Sequence, residues 1–313
     1  MKKSYVRTDW KKIRKRMRND WMLYLLIIPV LAWYFIFCYM PIAGGLSLSV
    51  REFRYDEGIW TSPFVGLEHF REMLSDRDFL RATKNTVIIS LGRIVFQMPC
   101  AILVAVFLNE IRSSKLKRTF QTVITFPHFI SWVVLAGILS NIFGSSGIIN
   151  QILNMLGMES ISPITSAATF RPFIWLSNIW KEVGWDSIIY LAAITSIDPG
   201  LYEAAEVDGA GRFQKIWHVT LPGIKGTIAI MLILAIGQVM TNGSFDQIFN
   251  LYSSPVYAVG DTLDTYIFRE SFVTGGLNFG YSTAIGMFKS IIGVIMISIS
   301  NKIVTELGEN GLY

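Results

Sequence analysis

Polar and aromatic side chains inside two long apolar blocks are the first candidates for chemistry in this sequence. The candidate positions are Glu182, Trp185, Gln238, Asn242 and Asp246. Glu182 and Trp185 share a helix face because residues three apart lie side by side, and the other three follow at helical spacing. Ionisable groups are costly inside a membrane span and are therefore candidates for function. An aromatic surface beside carboxylates and amides suits a ligand with apolar faces and polar edges.

A structural explanation competes with this interpretation. Lys181 could pair with Glu182 or Asp186, and the nearby tryptophans could pack between helices or lie at the membrane interface. Two more cations, Arg93 and Lys289, lie in other apolar blocks. They could pair with acidic groups across the helices or hold an acidic ligand, and the sequence does not decide between these roles.

The composition predicts the elements that must position these residues. Of 313 residues, 52% are hydrophobic and 16% are charged, whereas soluble domains are about 25% charged. Long apolar blocks approach or exceed the roughly 20 residues that cross a bilayer as a helix. The six predicted spans are 21–46, 84–108, 119–143, 172–197, 224–245 and 279–304. Backbone groups in lipid must be paired internally, so we predict an all-α membrane protein and exclude a soluble enzyme, a disordered chain and a disulfide scaffold.

The basic residues predict the orientation. The first 18 residues carry nine lysines and arginines. A nucleic-acid-binding arm is one explanation, but the run adjoins an apolar block, which favours a cytoplasmic segment over residues 1–20 that lies amphipathically on the membrane. The cytoplasmic side then has roughly twice the lysines and arginines of the outer side, which places both termini in the cytoplasm. Residues 21–313 would form the six-span domain, with membrane lipid around it and no nucleic-acid partner.

The loop at about 198–222 has a distinctive pattern. Asp198 can cap a helix and Pro199 suits its first turn. Residues 201–207 favour a short helix, and Gly209 allows the chain to turn away from it. This predicts a helix–turn–helix on the cytoplasmic face that could sit in a groove on a partner protein. An ordinary solvated loop is the alternative.

The same loop resembles the signature loop of permease subunits in bacterial ABC importers. Its fixed positions are matched by Glu203, Ala204, Ala205, Gly209, Leu221 and Pro222, with Val219 where isoleucine is usual. Asp208 and Ala210 match the extended form found in carbohydrate permeases. Residues 64–70 are similar to the outer-loop signature of sugar permeases. Residues 126–134 and 179–185 are similar to a subgroup that imports oligosaccharides derived from polysaccharides.

The resemblance implies the type I ABC importer permease fold in a bacterial cytoplasmic membrane, with a cytoplasmic coupling helix. The coupling residues it implies are Glu203, Ala204, Ala205, Asp208, Gly209 and Ala210. The partners it implies are a second homologous permease, a dimer of cytoplasmic ATP-binding subunits, an extracellular solute-binding protein and an oligosaccharide. In that family the spans flanking the coupling loop line the substrate cavity, which agrees with the polar positions above.

Enzymatic motifs are missing from the sequence. It has no Gly-x-x-x-x-Gly-Lys-Ser/Thr phosphate loop, no His-Glu-x-x-His metal motif and no Gly-x-Ser-x-Gly nucleophile elbow. We therefore expect a transport subunit without catalytic residues, metal or cofactor, with ATP and magnesium bound by the partner ATPase. Two alternatives remain: an ion-coupled secondary transporter using Glu182 and Asp186, and a membrane enzyme acting on lipid-linked sugars.

Overall fold

The computed structural model describes residues 19–241, 245–273, 278–306, 308 and 311–312. Within these ranges the chain is helical, and the only strand-like pairing is a single bridge between Arg51 and Phe64. The predicted all-α class is confirmed. Most of the predicted amphipathic segment 1–20 lies outside the described residues.

The helices follow one another with short connections. They are α1 Trp21–Leu48, α2 Glu68–Ser75, α3 Arg77–Glu110, α4 Ser114–Thr125, α5 Trp132–Phe143, α6 Ile148–Met155, α7 Phe170–Thr195, α8 Pro199–Val207, α9 Arg212–Gly223, α10 Lys225–Gly237, α11 Phe245–Leu251, α12 Leu263–Phe272 and α13 Phe279–Glu306. Short helical turns occupy Gly58–Thr61, Phe126–Phe129, Ser254–Val256 and Tyr257–Gly260.

Within the described ranges, four helical segments are long and apolar enough to cross a bilayer: α1, α3, Trp132–Met155 and α13. The pair α9 and α10 would be a fifth, bent by 60° at Ile224. Helix α7 is 26 residues long, but every 18-residue stretch of it contains Lys181, Glu182 and Asp186. Length and hydropathy therefore establish a multi-pass membrane protein with four or five spans of this kind.

The predicted third span, 119–143, is wrong as a single helix. Helix α4 ends at Thr125, a 3₁₀ turn containing Pro127 follows, and α5 begins only at Trp132. Proline has no N–H to donate to a helix, which favours a break here. Helix α4 is basic on one side and apolar on the other, so its apolar residues resemble part of a span in the sequence. The fifth span also differs from the prediction, because α10 ends at Gly237.

Helices α3 and α7 run parallel and pack closely. The indole of Trp175 lies over Gly92, where a Cβ atom would be only 2.2 Å from the ring. Towards the other end, Ala101 and Leu108 share an apolar cluster with Tyr190 and Ile194. The carboxyl ends of α3 and α7 thus lie at the same end of the bundle, next to the loop that contains α8.

Candidate functional site

A cavity of about 420 Å³ opens between α3, α7 and α10. Its polar lining comes from Ser90, Arg93, Gln97, Asn178, Glu182, Asp186, Tyr190 and Gln238, and its apolar lining includes Trp132, Met231 and Leu234. A concave site of this kind, with a few oriented polar groups among apolar walls, is typical of small-ligand binding. Two predicted site residues, Glu182 and Gln238, are brought together here from helices on either side of the predicted coupling loop.

Amide groups hold one carboxylate of the cavity in place. The Gln97 Nε2 donates to Asp186 Oδ2, and the Gln97 Oε1 accepts from Asn178 Nδ2. The chain of bonds runs from α7 to α3 and back to α7, so it depends on the register between these helices. Hydrogen-bonded neighbours leave Asp186 oriented at the cavity wall with a lone pair free to accept from a ligand hydroxyl.

Glu182 is held from behind by two partners. Lys181 Nζ lies 2.7 Å from Glu182 Oε1, and His128 Nδ1 lies 2.5 Å from Glu182 Oε2. The same ammonium donates to the backbone oxygen of His128 at 2.7 Å. The break between α4 and α5 places His128 next to Glu182. Lys181 also donates to a backbone carbonyl group of that break. The ion pair that the structural explanation expected is present, on a carboxylate that also faces the cavity.

Trp185 does not join the cavity lining. Its ring stacks on His128 with a centroid distance of 4.3 Å and an interplanar angle of 4°, and 46% of the residue is exposed. The structure thus places Trp185 beside His128, while Gln238 lines the cavity. Asp246 lies in the first turn of α11 and is not among the cavity residues, and Asn242 lies outside the described residues.

The two buried cations, Arg93 and Lys289, have different partners. Arg93 Nη2 donates to Gln247 Oε1 at 2.5 Å, and Gln247 is fixed by bonds to the backbone oxygen of Ile174 at 2.8 Å and to Ser177 Oγ at 3.0 Å. Arg93 thus lines the cavity while its guanidinium group is held by the buried side-chain amide of Gln247. Lys289 instead pairs with Asp264 across α12 and α13. Of the two roles left open for Lys289, pairing with an acidic group is the one observed.

Sequence reasoning missed Gln97, Asn178 and Ser90. A neutral amide or hydroxyl in an apolar block stands out less than a charge does. One signal was available, because Arg93 and Gln97 are four residues apart and must share a helix face.

The predicted helix–turn–helix is present at the end of the bundle near the carboxyl end of α7. Asp198 Oδ1 accepts from the Gly200 N–H at 2.9 Å and caps α8. The helix ends in a turn in which Ala210 N donates to Ala205 O at 2.8 Å, while Gly209 has φ +79°. This closing pattern requires the left-handed backbone that glycine tolerates. The sequence-based prediction of a short helix ended by Gly209 is confirmed.

Few contacts attach α8 to the rest of the chain. The Tyr202 hydroxyl lies 3.0 Å from Thr220 Oγ1, and Lys215 Nζ lies 2.5 Å from Glu206 Oε1. That hydrogen bond lowers the pKa of Glu206. Glu203, Ala204, Asp208 and Gly209 are exposed, while Ala205 and Ala210 are half-buried. Large apolar side chains also face outward here, among them Val207, Phe213 and Trp217.

Comparisons with known proteins place this geometry among transport components. Residues 97–306 match the model of the family "Binding-protein-dependent transport system inner membrane component". The chain is 39% identical to Protein LplB of Bacillus subtilis strain 168, over 95% of this chain and 92% of LplB. It is 37% identical to the polygalacturonan/rhamnogalacturonan transport system permease protein YteP of the same strain, over 97% and 94% of the two chains.

A solved structure is similar along almost the whole length. It is a chain of a bacterial alginate ABC transporter in complex with an alginate pentasaccharide-bound periplasmic protein. The TM-score is 0.85 and the sequence identity 35%, covering 95% of this chain and 99% of that chain. The matched family region contains most of the cavity and all of the α8 loop.

Proposed function

The chain belongs to the family of binding-protein-dependent transport system inner membrane components, and on that premise we propose how it works. It is the permease subunit of an ATP-driven importer and forms half of the translocation pathway for an oligosaccharide. An extracellular binding protein delivers the sugar. The near full-length similarity to the alginate transporter chain is the observation that carries this function.

The central cavity supports a role in sugar passage. Carboxylates and amides of α3, α7 and α10 line it, and they can accept from and donate to the hydroxyl groups of a sugar. The Trp132 ring and the aliphatic side chains offer apolar surface for the ring faces. Among the predicted binding residues, Glu182 and Gln238 are best placed for direct contact. Trp185 would support the site through His128 and Glu182.

The α8 helix supports the proposed coupling to ATP hydrolysis. Its acidic and apolar side chains are exposed and its internal contacts are few, as suits a surface completed by another protein. We propose that the residues from Glu203 to Ala210 dock on a cytoplasmic ATP-binding subunit, which binds ATP and magnesium. A second homologous permease completes the pathway.

The orientation and span number follow from the same proposal. Counting α7 and the bent α9–α10 pair as spans gives six, with α1, α3, α5–α6 and α13 as the others. The excess of basic residues on the α8 side then places both termini in the cytoplasm. The relatives bear the names of transport permeases, which leaves the secondary transporter and the membrane enzyme without support.

Uptake by the reconstituted complex tests the proposal. The complex of both permeases and the ATPase is placed in proteoliposomes with the binding protein and supplied with a panel of labelled oligosaccharides. We expect uptake that requires ATP and survives an ionophore. Uptake that persists without ATP and collapses with the ionophore would refute the proposed importer.

A matched pair of glutamine variants tests the cavity. Gln97→Leu removes the partner of Asp186 and Asn178, and we expect the KM for sugar uptake to rise about tenfold, equivalent to the loss of one or two hydrogen bonds. Gln151→Leu is the control, because Gln151 is exposed and donates to the Ser146 backbone oxygen outside the cavity. Equal KM values in the two variants would contradict the proposed role of the cavity in sugar transport.

A further inference from the structure

A second cavity, of about 390 Å³, lies where α2 and the loop after α1 meet the start of α13. The residues that matter for its chemistry are Glu52, Phe53, Glu68, His69, Glu72 and Phe279. None of them belongs to the central cavity or to the α8 loop.

This outer cavity is at the opposite end of the bundle from α8. Helix α3 has 34 residues, which corresponds to a length of about 50 Å. It begins beside α2, separated from it only by Asp76. It ends in the apolar cluster that contains Ile194 and Ile224 next to the α8 loop. A membrane-spanning helix therefore separates the two regions.

The rim of the outer cavity carries negative charge that the chain leaves largely uncompensated. Glu68 and Glu72 are exposed and one turn apart on α2, and neither has an ion-pair partner in the described part of the chain. Glu52 is exposed and lies 3.6 Å from Arg54 Nη2. Glu68 lies in the first turn of α2, where a carboxylate is favoured, whereas Glu72 lies a turn further along, and like charges four residues apart destabilise a helix.

The histidine at the cavity lacks a hydrogen-bond donor. His69 is only 7% exposed, and its Nε2 lies 3.0 Å from the backbone oxygen of Arg51. A carbonyl only accepts, so Nε2 carries a proton, and Nδ1 is the acceptor in that tautomer. That Nδ1 is buried without a hydrogen-bond partner among the described residues. Gly280 packs against the ring, since a Cβ there would be 2.6 Å from Nε2.

Aromatic rings complete the lining. Phe53 and Phe279 meet edge to face with a centroid distance of 5.8 Å. Aromatic faces attract cations and cover the aliphatic part of a long side chain. No cluster of three or more histidine, cysteine or acidic residues suited to a metal ion occurs in the described ranges. An organic cation therefore fits the cavity better than a metal ion does.

We propose that the outer cavity is a socket for a lysine or arginine side chain of the extracellular sugar-binding protein. The inference rests on the proposed function, which supplies that partner and places this end of the bundle outside the cell. Glutamates at the rim attract the cation, the buried His69 with its unpaired ring nitrogen lines the socket, and the two phenylalanines enclose the stem of the side chain. The same glutamates would repel a sugar that carries negative charge.

Binding of the carrier protein to the assembled transporter tests the socket. The complete transporter in lipid nanodiscs is titrated with the binding protein that sustains uptake, at low and at physiological salt. For the double variant Glu68→Gln/Glu72→Gln we expect at least a tenfold higher Kd at low salt and a weaker salt dependence, because exposed charges act through a screened field. Glu57→Gln is the control, since Glu57 pairs with Arg54 in the same loop but does not line the cavity.

Charge reversal identifies the partner residue. Glu72→Lys should weaken binding further, and one Lys→Glu or Arg→Glu change on the binding protein should restore it. Should the double variant assemble poorly, Glu72→Gln alone, at an exposed position, gives the same comparison. An unchanged Kd in the glutamine variants, or reversal that no partner change restores, would overturn the socket. Wild-type uptake that needs no binding protein would instead overturn the proposed function itself.

Discussion

The central cavity and the α8 loop both contain acidic side chains, but the surroundings of these side chains differ. In the cavity, Glu182 and Asp186 are half-buried and held by partners from α3, α7 and the α4–α5 break. In the loop, Glu203 and Glu206 point into solvent beside exposed Val207 and Phe213. The cavity is organised by this chain alone, whereas the loop presents a surface that its own chain does not cover.

This difference indicates how the two regions respond to change. A substitution in the cavity alters contacts within the chain and should affect folding as well as sugar binding. A substitution on the loop alters little inside the chain and should act through the partner that covers it. Measuring stability and assembly separately therefore tests the contrast directly.

The largest effect should come from Gly209→Val. A β-branched residue at φ +79° is strained, by about 1–3 kcal/mol, so the turn that closes α8 should shift. We expect association with the ATPase to weaken about tenfold or more, since 1.4 kcal/mol corresponds to a factor of ten, and uptake to be lost. Co-purification of the ATPase and sugar uptake measure these effects.

A second glycine provides the control for the first. Gly211 has an extended backbone, and a Cβ atom there would meet only Gln214 Oε1 at 3.6 Å. Gly211→Val should retain most of its uptake. Glu203→Lys should lose ATPase association without loss of folding, because Glu203 is exposed. Normal assembly and transport in both Gly209→Val and Glu203→Lys would contradict the coupling role.

The next largest effect should be a loss of stability when Lys181 is replaced. Replacing it with methionine leaves the Glu182 carboxylate and the His128 backbone oxygen without their ammonium partner. Lys181 is buried and Glu182 half-buried, and leaving such a polar group unpaired costs about 1–3 kcal/mol, so the thermal unfolding midpoint of the complex should fall. The double variant Lys181→Met/Glu182→Gln should recover part of the loss.

An exposed lysine tests whether burial is the cause. Lys302 is 3.9 Å from Glu306, and both side chains are mostly exposed. Lys302→Met should change stability by no more than about 0.5 kcal/mol. Equal losses for Lys181→Met and Lys302→Met would show that the buried cluster does not stabilise the fold.

The smallest effect should come from the pH dependence of Glu206. The Lys215 ammonium lowers the pKa of this carboxyl below its ordinary value of 4.5. A lowered pKa means that the ion pair contributes above pH 4.5 and is lost as pH falls through the lower folded value. ATPase association of wild type and Glu206→Gln should therefore respond alike between pH 6 and 8. A difference in ATPase association between the two proteins that grows from pH 6 to pH 8 would contradict the lowered pKa of Glu206.

Much of the fold could be predicted from hydropathy because lipid requires long apolar helices. The loop pattern likewise predicted α8, since a capping aspartate, a proline and a glycine act locally. The third span failed for a physical reason. Apolar residues on one face of α4 count towards hydropathy in the same way as those of a span. In the structure the turn at Pro127 separates α4 from α5, and the Ile124 backbone oxygen of α4 packs against Gly184 of α7.

The site was less predictable because its contacts cross between helices. Glu182 and Gln238 could be identified as polar residues in spans that flank one loop. The pairing of Gln97 with Asp186 depends on how α3 slides along α7, and Trp175 over Gly92 sets that register. The stacking of Trp185 on His128 depends on the break at Pro127.

By itself, then, the sequence determined that this chain crosses a bilayer several times and where its exposed loop forms a helix. Both are set by the local free energy of placing apolar or capping residues in lipid or water. Only the tertiary structure decided which polar groups face the cavity and which pair behind it. That outcome depends on the register and breaks of packed helices, which residues far apart in the chain determine together.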